Sequence, residues 1–232
     1  RDGTPQVGYF IAMLDGSSLI STDININELD AESVDSTVVA MSNNTQLQDV
    51  NMEVLVSKND NTVSGGQIAA VHALEYASNV SIKGANKIKI GKAPGYTQTS
   101  GYGTYNFGVL VDVGSSVSMS GLTEIRDDLD NATGFNLRSE AILLADAEKI
   151  SASTTGSNAV AFYTSSSKES KLKSDFVDFR SSGTSSQAVG LVQNSNLFIE
   201  SPNAYYLAVG SDTVGIGRGS NLEISGVHEI KN

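Results

Sequence analysis

The sequence predicts an all-β protein, a right-handed parallel β-helix (β-solenoid) of about eight to nine coils. Three observations lead to this prediction: an eleven-residue motif recurs along the chain, apolar and polar residues alternate around it, and helical patterns are nearly absent. Gly, Ser, Thr, Asn and Val are used heavily, and these residues favour turns and strands over helices.

The recurring motif is clearest in "SNLEISGVHEI" (Ser220–Ile230). Other full-length copies are "SNVSIKGANKI" (Ser78–Ile88), "SSVSMSGLTEI" (Ser115–Ile125) and "SNLFIESPNAY" (Ser195–Tyr205). Copies one residue shorter are Ser17–Ile26, Thr45–Val54 and Ser170–Phe179, and a degenerate copy, Glu140–Ile150, fits a strand or a helix equally well. Successive anchors lie from 25 residues apart (Ser195 to Ser220) to 37 residues apart (Ser78 to Ser115). A constant motif at variable spacing indicates stacked coils with one shared wall and loops of different length.

The alternation places two sets of apolar residues inside the predicted coils. Within the motif, the predicted interior ladder is Leu19, Leu47, Val80, Val117, Leu172, Leu197 and Leu222. Before the motif, the predicted ladder is Met13, Met41, Leu74, Val111, Leu191 and Ile216, with Ile11, Val39, Val109, Val189 and Val214 two residues earlier. In the Ser78 copy this offset falls on His72 and Leu74, which predicts a half-buried histidine on the interior flank.

A glycine in the motif marks a predicted bend between two strand faces. It stands at Gly84, Gly121 and Gly226. A left-handed backbone is cheap only for glycine. The shorter copies have no glycine at this place, so their bend is expected to differ.

Composition and charge exclude several classes of protein. The formal net charge of −11 disfavours nucleic acid as a partner, because an acidic surface repels phosphate. The chain has no Cys, so it has no disulfide and no thiolate site. No apolar run is long enough for a membrane-spanning helix, and no signal peptide is visible, so direct membrane insertion of this segment is not expected. We expect residues 1–232 to form a single β-helix domain, a fragment of a longer protein.

The repeat units "FGVLVDVGSSVSMSGLTEI" (107–125) and "VGIGRGSNLEISGVHEI" (214–230) resemble the β-helical passenger domains of bacterial type V autotransporters of the adhesin type. The resemblance covers most of residues 10–230. It implies a secreted passenger at the bacterial cell surface, exported through the outer membrane and used for adhesion, aggregation, virulence or biofilm formation. No cofactor is implied.

Acidic residues and histidines are the first candidates for chemistry. "RDDLDN" (Arg126–Asn131) could hold a calcium ion through Asp127, Asp128 and Asp130, but a solvated acidic turn is the favoured interpretation. His228 falls on the outward phase of a strand, and the abundance of Ser makes any sequence-level catalytic triad meaningless. The sequence therefore predicts no catalytic residues and no metal site.

Two features are candidates for ligand binding. The Tyr-rich insert "GKAPGYTQTSGYGTYN" (Gly91–Asn106) carries Tyr96, Tyr102 and Tyr105, and loops on rigid scaffolds commonly carry function. The alternative is an insertion without a role. A lysine cluster, Lys83, Lys87, Lys89 and Lys92, could face an acidic glycan, or could only protect strand edges and maintain solubility.

These features favour a non-enzymatic adhesin that binds host glycans or extracellular matrix proteins, or that associates with copies on neighbouring cells. The alternative is a polysaccharide-active β-helix enzyme or a phage tailspike fragment. Such an enzyme needs several carboxylates converging on one groove. The acidic residues are spread along the sequence.

Overall fold

The computed structural model describes residues 7–30, 35–59, 67–98, 105–209 and 212–232, which form β-strands and no helix. None of them contributes to a helical segment that could cross a membrane. In chain order the strands are β1 (Val7–Met13), β2 (Ser18–Asp30), β3 (Asp35–Met41), β4 (Gln46–Asn59), β5 (Gln67–Ala73), β6 (Val80–Lys83), β7 (Ala85–Gln98), β8 (Tyr105–Val111), β9 (Ser116–Met119), β10 (Leu122–Asp127), β11 (Ala132–Leu137), β12 (Ile142–Thr154), β13 (Val160–Ser165), β14 (Glu169–Ser181), β15 (Gln187–Val192), β16 (Asn196–Ala208), β17 (Val214–Ile216) and β18 (Asn221–Lys231).

Two parallel sheets form the walls of a β-solenoid. The first sheet has eight strands in the order β1-β3-β5-β8-β11-β13-β15-β17, and the second has ten strands that include β2, β4, β12, β14, β16 and β18. Each strand pairs in parallel with its counterpart one coil later, for example β1 with β3 and β14 with β16. The all-β parallel solenoid is confirmed, and its roughly seven turns are close to the predicted eight to nine coils. The handedness stays a prediction.

The core is built from columns of inward side chains. The apolar residues that were predicted to lie inside just before each motif copy are inward in most coils. Their first column contains Ile11, Val39, Val71, Val109, Phe135, Phe162, Val189 and Val214. In the third coil, however, Val71 and Ala73 take the inward places that were predicted for His72 and Leu74. His72 pairs with Ala40 and Leu110 on the outward phase.

The motif ladder predicted through the shorter copies is wrong by two residues. Leu47 pairs with Ile82, not Val80, and Leu172 pairs with Ile199, not Leu197. Two adjacent inward columns result. One contains Leu19, Leu47, Ile82, Met119, Ala145, Leu172, Ile199 and Ile224; the other contains Val80, Val117, Leu143, Leu197 and Leu222.

The shift arises because two shorter copies begin two residues later in the coil: Ser170 pairs with Leu197, and Thr45 precedes Gln46, which pairs with Ser81. Thr45 and Ser170 are each 1% exposed. The Thr45 hydroxyl donates to the Ser42 carbonyl at 2.8 Å, and the Ser170 hydroxyl accepts from the Leu143 amide at 3.1 Å. Since these hydroxyls are satisfied by hydrogen bonds, they can occupy an inward position that apolar residues fill in other coils.

The predicted bend is confirmed at the motif glycines, which have φ of 69° at Gly84, 81° at Gly121 and 108° at Gly226. Two shorter copies make the same bend without glycine, contrary to expectation. Ser21 and Asp49 occupy this place with φ of 49° and 53°. The Asp49 carboxylate accepts the Ala85 amide at 2.7 Å, which ties its bend to the next coil.

Candidate functional site

The predicted lysine cluster is divided by the structure. Lys87 and Lys89 point outward from β7 and line one surface groove of about 300 Å³. Lys83 lies at the end of β6 and donates to the Gln46 side chain at 3.1 Å. Lys92 lies further along β7, with its ammonium 5.3 Å from the centre of the Tyr96 ring. Only two of the four lysines therefore share a surface groove.

The groove around Lys87 and Lys89 is polar, and most of its charged side chains form ion pairs. The Lys89 ammonium lies 2.5 Å from Glu53, and Glu124 pairs with Lys149. Its other polar side chains are Asn25, Asn51 and Arg126. The side-chain amides and the Lys87 ammonium offer hydrogen-bond donors to a ligand that lies across the strands.

The groove is part of a longer surface, which we call the polar ribbon: two outward columns on the second sheet. The first column is Asp23, Asn51, Lys87, Glu124, Ser151, Asp178, Tyr205 and Glu229; the second is Asn25, Glu53, Lys89, Arg126, Ser153, Arg180, Leu207 and Lys231. All of these residues are exposed or half-buried. Near its end, Arg180 and Lys231 lie 4.7 Å and 5.4 Å from the centre of the Tyr205 ring.

Two of the three predicted tyrosines, Tyr96 and Tyr105, lie in different sheets. Gly91 to Gln98 continue strand β7, so this part of the insert is strand. Tyr96 is half-buried and packs against the core, whereas Tyr105 begins β8 in the other sheet and stacks on Phe107 at 6.5 Å. Tyr102 lies outside the described residues. The described tyrosines therefore belong to two different walls.

The three carboxylates of "RDDLDN" do not converge. Asp127 points into the core and is fully buried, which contradicts a solvated turn at that residue. Asp128 pairs with Arg126 at 3.1 Å, and Asp130 accepts the Ser157 amide at 2.8 Å. Across the described residues, no group of three or more His, Asp or Glu side chains is placed to hold a metal ion.

A second groove, of about 560 Å³, crosses the outer face of β9, β12, β14, β16 and β18. Three carboxylates line it, Asp146, Glu200 and Glu223, although the sequence had suggested that acidic residues are dispersed. They alternate with lysines: Lys173 lies 3.8 Å from Asp146, and the Lys171 ammonium lies 5.7 Å from the centre of the Phe198 ring. This groove therefore carries interspersed charges and exposed apolar groups.

The outward face of the first sheet holds a pocket that the sequence did not predict. This histidine pocket has a volume of about 410 Å³ and is lined by Tyr9, Thr37, Gln67, Ala69, His72, Leu74, Glu75, Leu110, Asp112 and Arg138. His72 Nε2 lies 2.9 Å from Asp112 Oδ2, and Arg138 Nη1 lies 3.2 Å from Asp112 Oδ1. The three ionisable residues come from three successive coils.

Asp112 is the electrostatic centre of the histidine pocket. Burial raises the pKa of its carboxyl, but the hydrogen bond from His72 and the charge of Arg138 outweigh burial and lower the pKa from 3.8 to about 2. Asp112 is therefore ionised at neutral pH. In the neutral tautomer that fits this network, His72 donates to Asp112 from Nε2 and accepts at Nδ1 from the Thr37 hydroxyl at 3.4 Å.

Comparison with models of protein families and with curated proteins gives no match to this chain.

Proposed function

We propose that this chain is a non-enzymatic adhesin module of the bacterial cell surface, a passenger domain of the autotransporter type. Its partners would be host glycans, extracellular matrix proteins or copies of itself on neighbouring cells. The observation that carries this proposal is the polar ribbon, which presents outward side chains, polar at every position except Leu207, coil after coil along one wall.

The ribbon suits a long, repetitive partner better than a small substrate. Its strands lie about 4.8 Å apart, so eight of them span roughly 34 Å along the solenoid axis. A glycan chain or an extended protein segment could contact several coils at once. Weak contacts that are linked in this way raise the total affinity without any single deep site.

The charge pattern of the ribbon predicts how binding responds to mutation. Lys87→Glu with Lys89→Glu reverses two cations and places a new carboxylate beside Glu53. We expect affinity for a bound acidic glycan or matrix protein to fall by about tenfold or more, and wild-type binding to weaken as salt is added. The readout is binding of the purified chain to immobilised glycans and matrix proteins, together with clustering of beads coated with the chain.

The matched control is Lys83→Glu with Lys168→Glu, which changes the net charge equally at exposed sites outside the ribbon. It should retain wild-type binding. Equal loss in both variants would show a general charge effect and reject the ribbon as the contact surface. Shortening of a polysaccharide during incubation would instead support the enzymatic alternative.

A further inference from the structure

The histidine pocket lies at a concave corner of the first sheet. In β5, the consecutive residues Ala70 and Val71 both belong to the core, so the strand turns between them. The outward residues Ala69 and His72 consequently stand on either side of the corner. Ala69, Phe107 and Leu110 form a small apolar cluster apart from the main core. The corner thus has an apolar floor on the outside of the solenoid.

The polar groups above this floor are held in fixed positions. The side chain of Asp112 is 6% exposed and that of His72 is 15% exposed. Arg138 also donates to the Gln67 side chain and lies with its guanidinium 5.7 Å from the centre of the Phe107 ring. A buried carboxylate is costly even when it is paired.

The scaffold itself does not require these charges. In the outward column of His72, the neighbouring coils carry Ala40, Leu110 and Asn136. Fixed, mutually oriented polar groups beside an apolar floor are the usual construction of a small-molecule site. The cluster is therefore better explained by a ligand than by stacking of the coils.

The groups that remain accessible indicate the chemistry of that ligand. Tyr9 is 45% exposed, Glu75 is exposed, and the Arg138 side chain is 30% exposed. A guanidinium donates to hydroxyl groups, and a carboxylate accepts from them. The half-buried Leu74 side chain and the Tyr9 ring can cover the C–H face of a sugar ring. An anionic ligand would meet the carboxylates of Asp112 and Glu75. A purely apolar ligand would cover the N–H groups of Arg138 that Asp112 and Gln67 do not occupy, and would give them no acceptor.

We propose that the histidine pocket binds one uncharged pyranose residue of a glycan. This inference rests on the proposed function for the presence of glycans, but it places the sugar on a different wall from the polar ribbon. One monosaccharide in an open pocket should bind weakly, with a Kd on the order of 1 mM.

The direct test is a titration of the full chain, labelled with ¹³C at alanine and leucine methyl groups, with uncharged monosaccharides. The probes are glucose, galactose, mannose, fucose and N-acetylgalactosamine, each taken to about ten times the expected Kd. At least one sugar should saturably shift the methyl resonances of Ala69, Leu74 and Leu110. Glucuronic acid should shift them less at equal concentration.

Two variants at exposed residues test the contacts without removing the buried network. Glu75→Ala and Tyr9→Ala should each raise the Kd by about tenfold. Glu148→Ala removes an exposed glutamate elsewhere and should leave the Kd unchanged. The ribbon variant Lys87→Glu with Lys89→Glu should also leave it unchanged.

The outcomes separate this inference from the adhesin proposal. If no uncharged sugar shifts the pocket methyl groups, or if the shifts survive both pocket variants, the pyranose site is wrong. The adhesin proposal would still stand on ribbon-dependent binding to glycans or matrix proteins. If the pocket binds a sugar but neither surface supports attachment, the site is supported and the adhesin proposal fails.

Discussion

At the scale of single residues, Asp127 has the least common environment in the described part of the chain. It shares an inward column with Val54, Ile90 and Thr154, and it is fully buried. Its Oδ1 accepts the Leu129 amide at 3.0 Å, whereas its Oδ2 has no hydrogen-bond partner among the described residues. Burial raises the pKa of this carboxyl from 3.8 to about 8, so the folded protein holds it protonated at neutral pH.

This raised pKa predicts a pH-dependent loss of stability. The unfolded carboxyl ionises above its ordinary pKa of 3.8, while the folded carboxyl keeps its proton up to about 8. Between these values the folded state binds more protons, so the unfolding free energy contributed by Asp127 falls as pH rises, by up to about 1.4 kcal/mol per pH unit. Asp127→Asn removes this dependence. Urea unfolding of both proteins at about pH 5 and about pH 8 measures the difference. Between these pH values, the unfolding free energy of the variant should rise relative to that of the wild type by several kcal/mol.

Parallel stability curves for the two proteins would contradict the buried, protonated state. Asn is the appropriate replacement because it keeps the shape of the neutral acid without its ionisation. Other titrating groups act equally in both proteins and cancel in the comparison.

Residue patterns alone could not locate the histidine pocket. Around His72 the segment reads Ile68, Ala69, Ala70, Val71, then Ala73 and Leu74, so both phases of the strand are apolar. A slip of one residue exchanges the two faces of a strand. The interior prediction for His72 was wrong for that reason. Its partners Asp112 and Arg138 lie in the next two coils, and only the register between coils brings them together.

At the scale of elements, the motif predicted where strands lie better than how they stack. The repeated Ser-x-apolar-x-apolar pattern identified the strands that follow Ser17, Ser115 and Ser195. The degenerate segment Glu140–Ile150 contains the first nine of the thirteen residues of β12. The two-residue error in the ladder came from aligning the shorter copies with the full-length copies at their first Ser or Thr. Satisfied hydroxyls at Thr45 and Ser170 are inside, and composition does not show whether a Ser or Thr has a buried partner.

The motif glycines make a second prediction at this scale, because Gly121 stacks directly on Gly84. A Cβ at Gly121 would lie 2.6 Å from the carbonyl oxygen of Gly84, whereas a Cβ at Gly16 would meet nothing within 4 Å. Both glycines are left-handed, with φ of 81° and 79°. Gly16→Ala should therefore cost about 1–2 kcal/mol through backbone strain alone. Gly121→Ala should cost about 1–3 kcal/mol more, because the coils must separate locally.

Denaturant unfolding of the two alanine variants isolates the stacking contribution, since Gly16→Ala carries the same backbone strain without the clash. Equal destabilisation would show that the coils can separate freely at the bend. A larger effect at Gly121 would show that close contact between successive bends holds the register of the second sheet.

At the scale of the whole molecule, the solenoid separates architecture from recognition. The inward columns repeat because each coil must bury its apolar face on its neighbours. The outward columns are free to vary, and the polar ribbon and the histidine pocket both lie there. Sequence repetition therefore identified the inward columns that form the scaffold. The candidate sites are built from outward residues, which do not repeat from coil to coil. The proximity of Lys87 and Lys89 could be predicted because they lie two residues apart in one strand. The ribbon could not be predicted, because its columns cross eight strands.

Strand pairing between successive coils also predicts that stability is local. Each coil contacts the coils beside it, so opening one coil should weaken its neighbours and leave distant coils unchanged.

Ile199 is 1% exposed and lies between Leu172 and Ile224 in one inward column. Ile199→Ala should speed amide hydrogen exchange in β14, β16 and β18 and leave exchange in β2 and β4 at wild-type rates. Ile82→Ala, in the same column, should instead speed exchange in β4, β6 and β9 and leave exchange in β14, β16 and β18 at wild-type rates. Uniform acceleration along the chain in both variants would mean that the solenoid unfolds as one unit, and that a ligand on the ribbon would stabilise every coil equally.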